Sequence, residues 1–180
     1  LDHVLQLFSI KPKYDLDIMR PRQSLFDVTH RALRKLKPVL EKENPDILVI
    51  QGDTTTILVG ALAAFYLKIP IAHVEAGLRT KDKYQPYPEE VNRRIATALA
   101  DLHLAPTKLA RDNLLREGIP QEHIYVTGNT VIDAMLSVLD KKFPLDDAVF
   151  DKNEFEKKRM ILVTAHRREN WGRPLINICS

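Results

Sequence analysis

At 180 residues the chain is long enough for one well-buried domain and part of a second. Its 27 Lys and Arg against 24 Asp and Glu leave a formal charge of +3, too small and too dispersed for a nucleic-acid groove. The most apolar stretch, 57–67, is about half of what a bilayer span needs and is stopped by Lys68, so no membrane association is expected. The single cysteine, Cys179, can form no internal disulfide and fits a reducing, cytoplasmic compartment; no zinc-ligand spacing is present, and no metal is expected.

Leu1–Ser9 has helical spacing and no basic region, and reads as the remnant of a helix rather than a cleavable leader. Tyr14–Met19 is expected as a short strand. Ser24–Asn44 spaces Leu25, Val28, Ala32, Leu36, Val39 and Leu40 along one face of a long amphipathic helix. Pro38 predicts a kink in it, and Arg31, Arg34, Lys35 and Lys37 form its solvated basic face. Ile47–Gln51 and Ile69–Val74 are apolar runs of strand length on either side of a helix-length stretch, Thr54–Leu67, which together spell a βαβ unit. Lys81–Pro88, with Tyr84, Pro86, Tyr87 and Pro88, cannot be helical and is expected as a surface loop. Pro88 then suits a first helical position, Glu89 and Glu90 follow in the first turn, and Val91, Ile95, Ala98, Leu99 and Leu102 make the predicted buried stripe. A strand near Leu102–Ala105, a helix Lys108–Glu117 closed by Gly118, a strand Ile124–Val126 and a helix Val131–Leu139 continue the alternation. Alternation of this kind specifies an α/β fold, a doubly wound parallel sheet with helices on both faces.

Residues 1–140 thus read as one α/β domain. Residues 141–158, charged residues interspersed with Phe143, Pro144, Phe150 and Phe155, read as a connection. Arg159–Thr164 is expected as a new buried strand; because a lone strand cannot bury itself, 159–180 reads as the start of a second α/β domain.

Two acids stand directly after the apolar runs, Asp53 after Ile47–Gly52 and Glu75 after Ile69–Val74. Taken singly, each reads as well as a helix cap or a loop charge. Taken together, on neighbouring parallel strands, they put two carboxylates on one rim roughly 5 to 10 Å apart, at the carboxyl edge where open α/β sheets bind ligands. Polar clusters also mark Gln51–Thr56, His73–Thr80, Pro86–Arg94 and Thr164–Asn170. The helix start Thr54-Thr55-Thr56 and the turn Gly128-Asn129 offer donors suited to phosphate or sugar hydroxyls, with plain capping as the alternative. His166, Arg167 and Arg168 would suit a diphosphate, because guanidinium forks match phosphate oxygens; a solvated basic loop is the alternative.

Five strings in order, Gln51-Gly52-Asp53-Thr54-Thr55-Thr56, His73-Val74-Glu75-Ala76-Gly77-Leu78-Arg79-Thr80, Pro88-Glu89-Glu90-Val91-Asn92-Arg93, Gly128-Asn129-Thr130-Val131-Ile132-Asp133-Ala134 and His166-Arg167-Arg168-Glu169-Asn170, resemble the non-hydrolysing UDP-N-acetylglucosamine 2-epimerases, and the likeness runs the length of the chain. The resemblance implies two Rossmann-like domains of GT-B type with a nucleotide sugar between them. It also implies interconversion of UDP-N-acetylglucosamine and UDP-N-acetylmannosamine by elimination of UDP to 2-acetamidoglucal and its re-addition, without metal or cofactor. Carried over by motif, Asp53, Glu75, Glu89 and His166 are the expected catalytic groups. Arg79, Arg93, Asn129, Arg167 and Arg168 are expected to support substrate binding. Met19–Leu25 resembles the segment through which bacterial members contact a second, activating UDP-N-acetylglucosamine, which makes Arg22 and Gln23 candidate regulatory contacts. A homodimer is implied as well. A typical member's first strand and phosphate loop would precede Leu1, and the rest of the second domain would follow Ser180, so the segment alone is expected to be inactive. The competing readings are a GT-B glycosyltransferase, a hydrolysing 2-epimerase and a non-catalytic nucleotide-sugar-binding module.

Overall fold

A computed structural model describes residues 2–139, 159, 161, 163, 164 and 172–179. Contacts divide the chain into two compact units, Leu1–Gly128 and Asn129–Ser180. The first unit holds a parallel sheet of four strands in the order β1 (Leu48–Gln51), β2 (Ile71–Val74), β3 (Leu102–Ala105) and β4 (Ile124–Val126). Helices α3 (Thr55–Tyr66), α4 (Glu89–Leu99) and α5 (Lys108–Arg116) make the crossovers, preceded by α1 (Asp2–Leu7) and α2 (Leu25–Glu43). The α/β class and the parallel sheet are as expected from the alternation of apolar runs.

Register explains where the core lies. Leu48 pairs with Ile71, Ile50 with His73, His73 with His103, and His103 with Ile124, so these residues share one face of the sheet. Ile50 and Ile71 pack there with Ile57, Ala61, Ala63 and Ala64 of α3, Leu40 of α2 and Ala96 of α4. A smaller cluster joins Ala105 and Ile124 to Ala110 and Leu114 of α5. Each large apolar side chain so buried contributes about 1.5–3 kcal/mol. The opposite face carries Val49 and Tyr125 in the open among the described residues of this unit. Gly60, in the middle of α3, lets the helix lie close to the sheet, since a Cβ there would come within 3.3 Å of Ile50 Cγ2.

Helix α2 matches its expected span. Ser24 caps it, accepting from the Asp27 N–H while Asp27 takes up the Ser24 N–H, and Asn44 closes it in the left-handed conformation. The helix runs on through Pro38. Its predicted stripe is buried or half-buried.

Two expectations are corrected. Tyr14–Met19 is not a strand. Its carbonyls are spent on a side chain, Lys35 Nζ donating to Leu16 O at 2.5 Å and Asp17 O at 3.0 Å, and Asp17 adopts a φ of 40° that no ladder accommodates. The second correction concerns α4. Of the predicted stripe, Val91 (36% exposed), Ile95 (39%) and Ala98 are turned outward and only Leu99 and Leu102 are half-buried, Leu99 against the core, while Glu90, Asn92, Arg93, Ala96 and Thr97 are buried. Pro88 caps the helix, and Glu89 is its first residue.

The second unit contains α6 (Thr130–Leu139) and α7 (Arg173–Cys179). Residues 140–158 lie outside the described residues. Of the expected strand Arg159–Thr164, the described residues Arg159, Ile161, Val163 and Thr164 lie outside any strand and are exposed. No helix among the described residues is long and apolar enough to cross a membrane.

Candidate functional site

The carboxyl ends of β1 and β2 build the rim. After Gln51 the chain turns at Gly52, whose φ of +85° is readily available only to glycine, and delivers Asp53. After Val74 it delivers Glu75, itself at a φ of 65°. The two exits are stitched together, the Gly52 N–H donating to Val74 O at 3.1 Å. Glu75 is held across them, with Gln51 Nε2 donating to its Oε1 at 3.3 Å, and its Oε2 lies 3.8 Å from the point a Cβ on Gly52 would occupy. The two carboxylates therefore flank one turn, as the sequence pattern predicted.

Asp53 is not a helix cap. The cap position of α3 belongs to Thr54, whose side chain makes no capping bond, and the Asp53 carboxylate instead accepts from Arg93 of α4. Asn92 Nδ2 donates to the Asp53 carbonyl at 2.9 Å. Arg93 thus serves Asp53, and its other terminal nitrogen, Nη1, lies 3.5 Å from Glu90 Oε2. Glu90 is wholly buried, and its carboxylate accepts from the Thr80 N–H at 3.1 Å and from Arg94 Nε at 3.0 Å. These bonds explain the inverted burial of α4: a buried carboxylate is tolerable only when paired and hydrogen-bonded, and the helix turns its polar side inward to supply the partners. Glu89, half-buried one residue earlier, has no such partner among the described residues.

Arg79 sits apart from this rim chemistry. Its side chain is 5% exposed and donates to Glu117 at 2.7 and 2.6 Å, to Thr97 Oγ1 at 3.0 Å and to the Leu78 carbonyl at 2.8 Å. The guanidinium holds the Glu117 carboxyl below its ordinary range, chiefly through the hydrogen bond. The loop that carries Arg79 is closed by Gly77, where a Cβ would lie 2.2 Å from the Ala110 carbonyl oxygen. Residues 81–88 form the expected surface loop, with the rings of Tyr84 and Tyr87 exposed and 6.4 Å apart.

Gln23 lies in the turn before α2, its Oε1 accepting from the Arg20 N–H at 2.7 Å and from Arg31 Nη1 at 3.2 Å; Arg22 is exposed at a φ of 55°. In the second unit Asn129 follows the capping alternative, its Oδ1 accepting from the Val131 N–H at 3.0 Å at the start of α6. His166, Arg167 and Arg168 lie outside the described residues. Among the described residues no three His, Cys, Asp or Glu side chains are grouped as metal ligands.

Three residues were not singled out from sequence: Glu90, Asn92 and His73. His73 is wholly buried in β2, and its Nε2 pairs with the Gly52 carbonyl at 2.8 Å. Burial lowers its pKa, against the opposing pull of that carbonyl. His103, its register partner on β3, is pushed down to about 4 by burial, with the like charges of His73 and His123 adding to the effect. The signal for Glu90 and Asn92 was present as polar residues at helical spacing with Arg93, Ala96 and Thr97, a second stripe beside the apolar one.

The model of a family described as UDP-N-acetylglucosamine 2-epimerase matches residues 1–180. A UDP-N-acetylglucosamine 2-epimerase from Yersinia pestis is 53% identical over 189 residues, which cover 100% of this chain and 49% of that protein. Among solved structures, UDP-GlcNAc 2-epimerase from Neisseria meningitidis bound to UDP-GlcNAc superposes with a TM-score of 0.89 at 48% identity, covering 98% of this chain and 49% of that one. A co-structure of S. aureus MnaA with UDP gives a TM-score of 0.87 at 48% identity, with 99% and 46% covered. The chain spans about half the length of the relatives it matches.

Proposed function

The chain belongs to the UDP-N-acetylglucosamine 2-epimerase family, and from that premise we propose that the whole protein interconverts UDP-N-acetylglucosamine and UDP-N-acetylmannosamine. The observation that carries the reading is the meeting of Asp53 and Glu75 across the Gly52 turn, at the edge of a parallel sheet where ligands of such folds bind. The proton on carbon 2 of the sugar has no adjacent carbonyl, so its direct removal at neutral pH is out of reach. Departure of UDP from carbon 1 gives the ring oxocarbenium character. The proton on carbon 2 then becomes removable by a carboxylate, leaving 2-acetamidoglucal and UDP. Re-addition of UDP at carbon 1 with protonation of carbon 2 from the opposite face gives the epimer. That sequence needs two acid/base groups on opposite sides of one ring, and Asp53, Glu75 and Glu89 are the residues assigned to them. Arg93 and Asn92 hold Asp53 in place for this work.

His166 is assigned to the departing diphosphate, with Arg167 and Arg168 as its cationic support and Asn129 as a further substrate contact. Arg79 supports the site through the loop behind it, where Glu117 and Thr97 engage it. Arg22 and Gln23 are assigned to a second, activating UDP-N-acetylglucosamine molecule. Residues 1–140 belong to the first Rossmann-like domain, 141–158 to the connection and 159–180 to the start of the second. The protein works in the cytoplasm in polysaccharide biosynthesis, as a homodimer. Support for the dimer comes from Val91 and Ile95, which α4 turns outward, and from the exposed Phe65 of α3, the helix packed beside it.

The test is turnover of the complete protein in deuterated water. Deuterium at carbon 2 of the recovered UDP-sugars is the expected result, and Asp53→Asn should lower turnover about 1,000-fold. An unlabelled carbon 2 with acceptor-dependent release of UDP would identify a transferase. Stoichiometric free UDP with free N-acetylmannosamine would identify hydrolysis, and binding with no turnover a sensor.

A further inference from the structure

Gly52 is the one residue between the end of β1 and Asp53, and having no side chain it offers no steric resistance to rotation of the peptide that follows it. That peptide sets the direction in which Asp53 leaves the sheet. It is held from β2 instead. The Gly52 N–H, on the preceding peptide, donates to Val74 O at 3.1 Å, and the Gly52 carbonyl, on the peptide that leads to Asp53, accepts from His73 Nε2 at 2.8 Å.

His73 is an expensive residue at this place. It is wholly buried, and its Nδ1 has no partner among the described residues. A ring that donates through Nε2 and leaves Nδ1 bare carries its single proton on Nε2. An unpaired buried nitrogen is a burden that the apolar residues usual in a central parallel strand avoid. Its one hydrogen bond goes to the peptide that aims Asp53.

We propose that His73 is a positioning residue for the reaction: its Nε2–H locks the Gly52 carbonyl and so fixes the Asp53 carboxylate in the orientation that Arg93 and Asn92 complete from α4. The inference rests on the assignment of Asp53 to catalysis. It makes His73 neither a ligand to substrate nor a proton carrier, so its removal acts on kcat through Asp53 and leaves KM in place.

The test compares His73→Asn with His73→Gln in the complete protein. A Gln amide reaches as far as Nε2 and keeps a donor for Gly52; an Asn amide ends near the place of Nδ1 and falls short. His73→Asn should lower kcat about 100-fold with KM within about twofold, and His73→Gln should recover kcat to within about tenfold of the parent. Equal losses in the two variants, or a parental kcat in His73→Asn, would overturn the proposal. Long-range nitrogen–proton NMR of the unsubstituted protein needs no variant to fold: a neutral ring protonated on Nε2 is expected, and a ring protonated on Nδ1 contradicts it. Asp53→Asn, run in parallel, separates the two possible failures. If it turns over at the parental rate, the catalytic role of Asp53 falls and this inference with it; if it is dead beside a fully active His73→Asn, the inference alone falls.

Discussion

Helices α3 and α4 cross the same face of the same sheet, one after the other, and bury opposite chemistry. Helix α3 buries Ile57, Val59, Gly60, Ala61, Ala63 and Ala64 and makes close contact with Ile50 and Leu48. Helix α4 buries Glu90, Asn92, Arg93 and Thr97 and leaves Val91 and Ile95 outward. Packing alone explains the first. The second is explained by partners: Arg93 for Asp53, Asn92 for the Asp53 carbonyl, Glu90 for Thr80 and Arg94, and Thr97 for Arg79. One crossover helix is scaffold, and the other is the back wall of the rim. An amphipathic helix orients by what its partners need, and here the partners are polar.

That contrast can be broken most forcefully at Glu90. Replacing it by Ala takes the acceptor from the Thr80 N–H and from Arg94 and leaves Arg93 with Asp53 as its one carboxylate partner among the described residues, and chemical denaturation should show a loss of about 3–5 kcal/mol; a loss below about 1 kcal/mol would mean that α4 is not organised around its acid. Next in size is a pH effect in the sheet, at His103 of β3. Burial holds its imidazole down to about 4 in the folded chain against 6.5 when unfolded, so the unfolded chain takes up the proton first. The stability that the neutral ring supports is complete above pH 6.5 and falls as pH drops toward 4, by about 3 kcal/mol in all. Comparing denaturation curves of the parent and His103→Asn between pH 7 and pH 4 isolates this slope, and identical curves would contradict it. The smallest effect is expected on the outer side of α4. Val91→Ser with Ile95→Ser should change the stability of the single chain by no more than about 0.5 kcal/mol, yet weaken the proposed homodimer in sedimentation of the complete protein; an unchanged association constant would remove that face from the proposed dimer.

The strands and the crossovers were legible because apolar runs of two lengths alternate, and length separates Leu48–Gln51 from Thr55–Tyr66. Asp53 and Glu75 were legible for the same reason, as charges placed just past those runs. Tyr14–Met19 misled because its alternation satisfies a strand pattern while Lys35, far along the chain, claims its carbonyls. On α4 two stripes coexist, and choosing the apolar one assumed a purely apolar neighbour; the buried side instead meets Asp53 and Arg79, which no local pattern reveals. His73 was hidden by its neighbours: a lone histidine in a buried strand has no periodic mark, and its partner is a backbone carbonyl on the adjacent strand.

The central claim is that acids from successive strand ends and from the first turn of α4 serve a single sugar ring. A crystal structure of the complete protein holding UDP-N-acetylglucosamine tests it most directly. The account predicts carbons 1 and 2 of the sugar over the Gly52 turn, with carboxylate oxygens of Asp53, Glu75 and Glu89 about 3–4 Å from the atoms they serve. A sugar seated elsewhere, with these three carboxylates facing solvent away from it, would contradict the account.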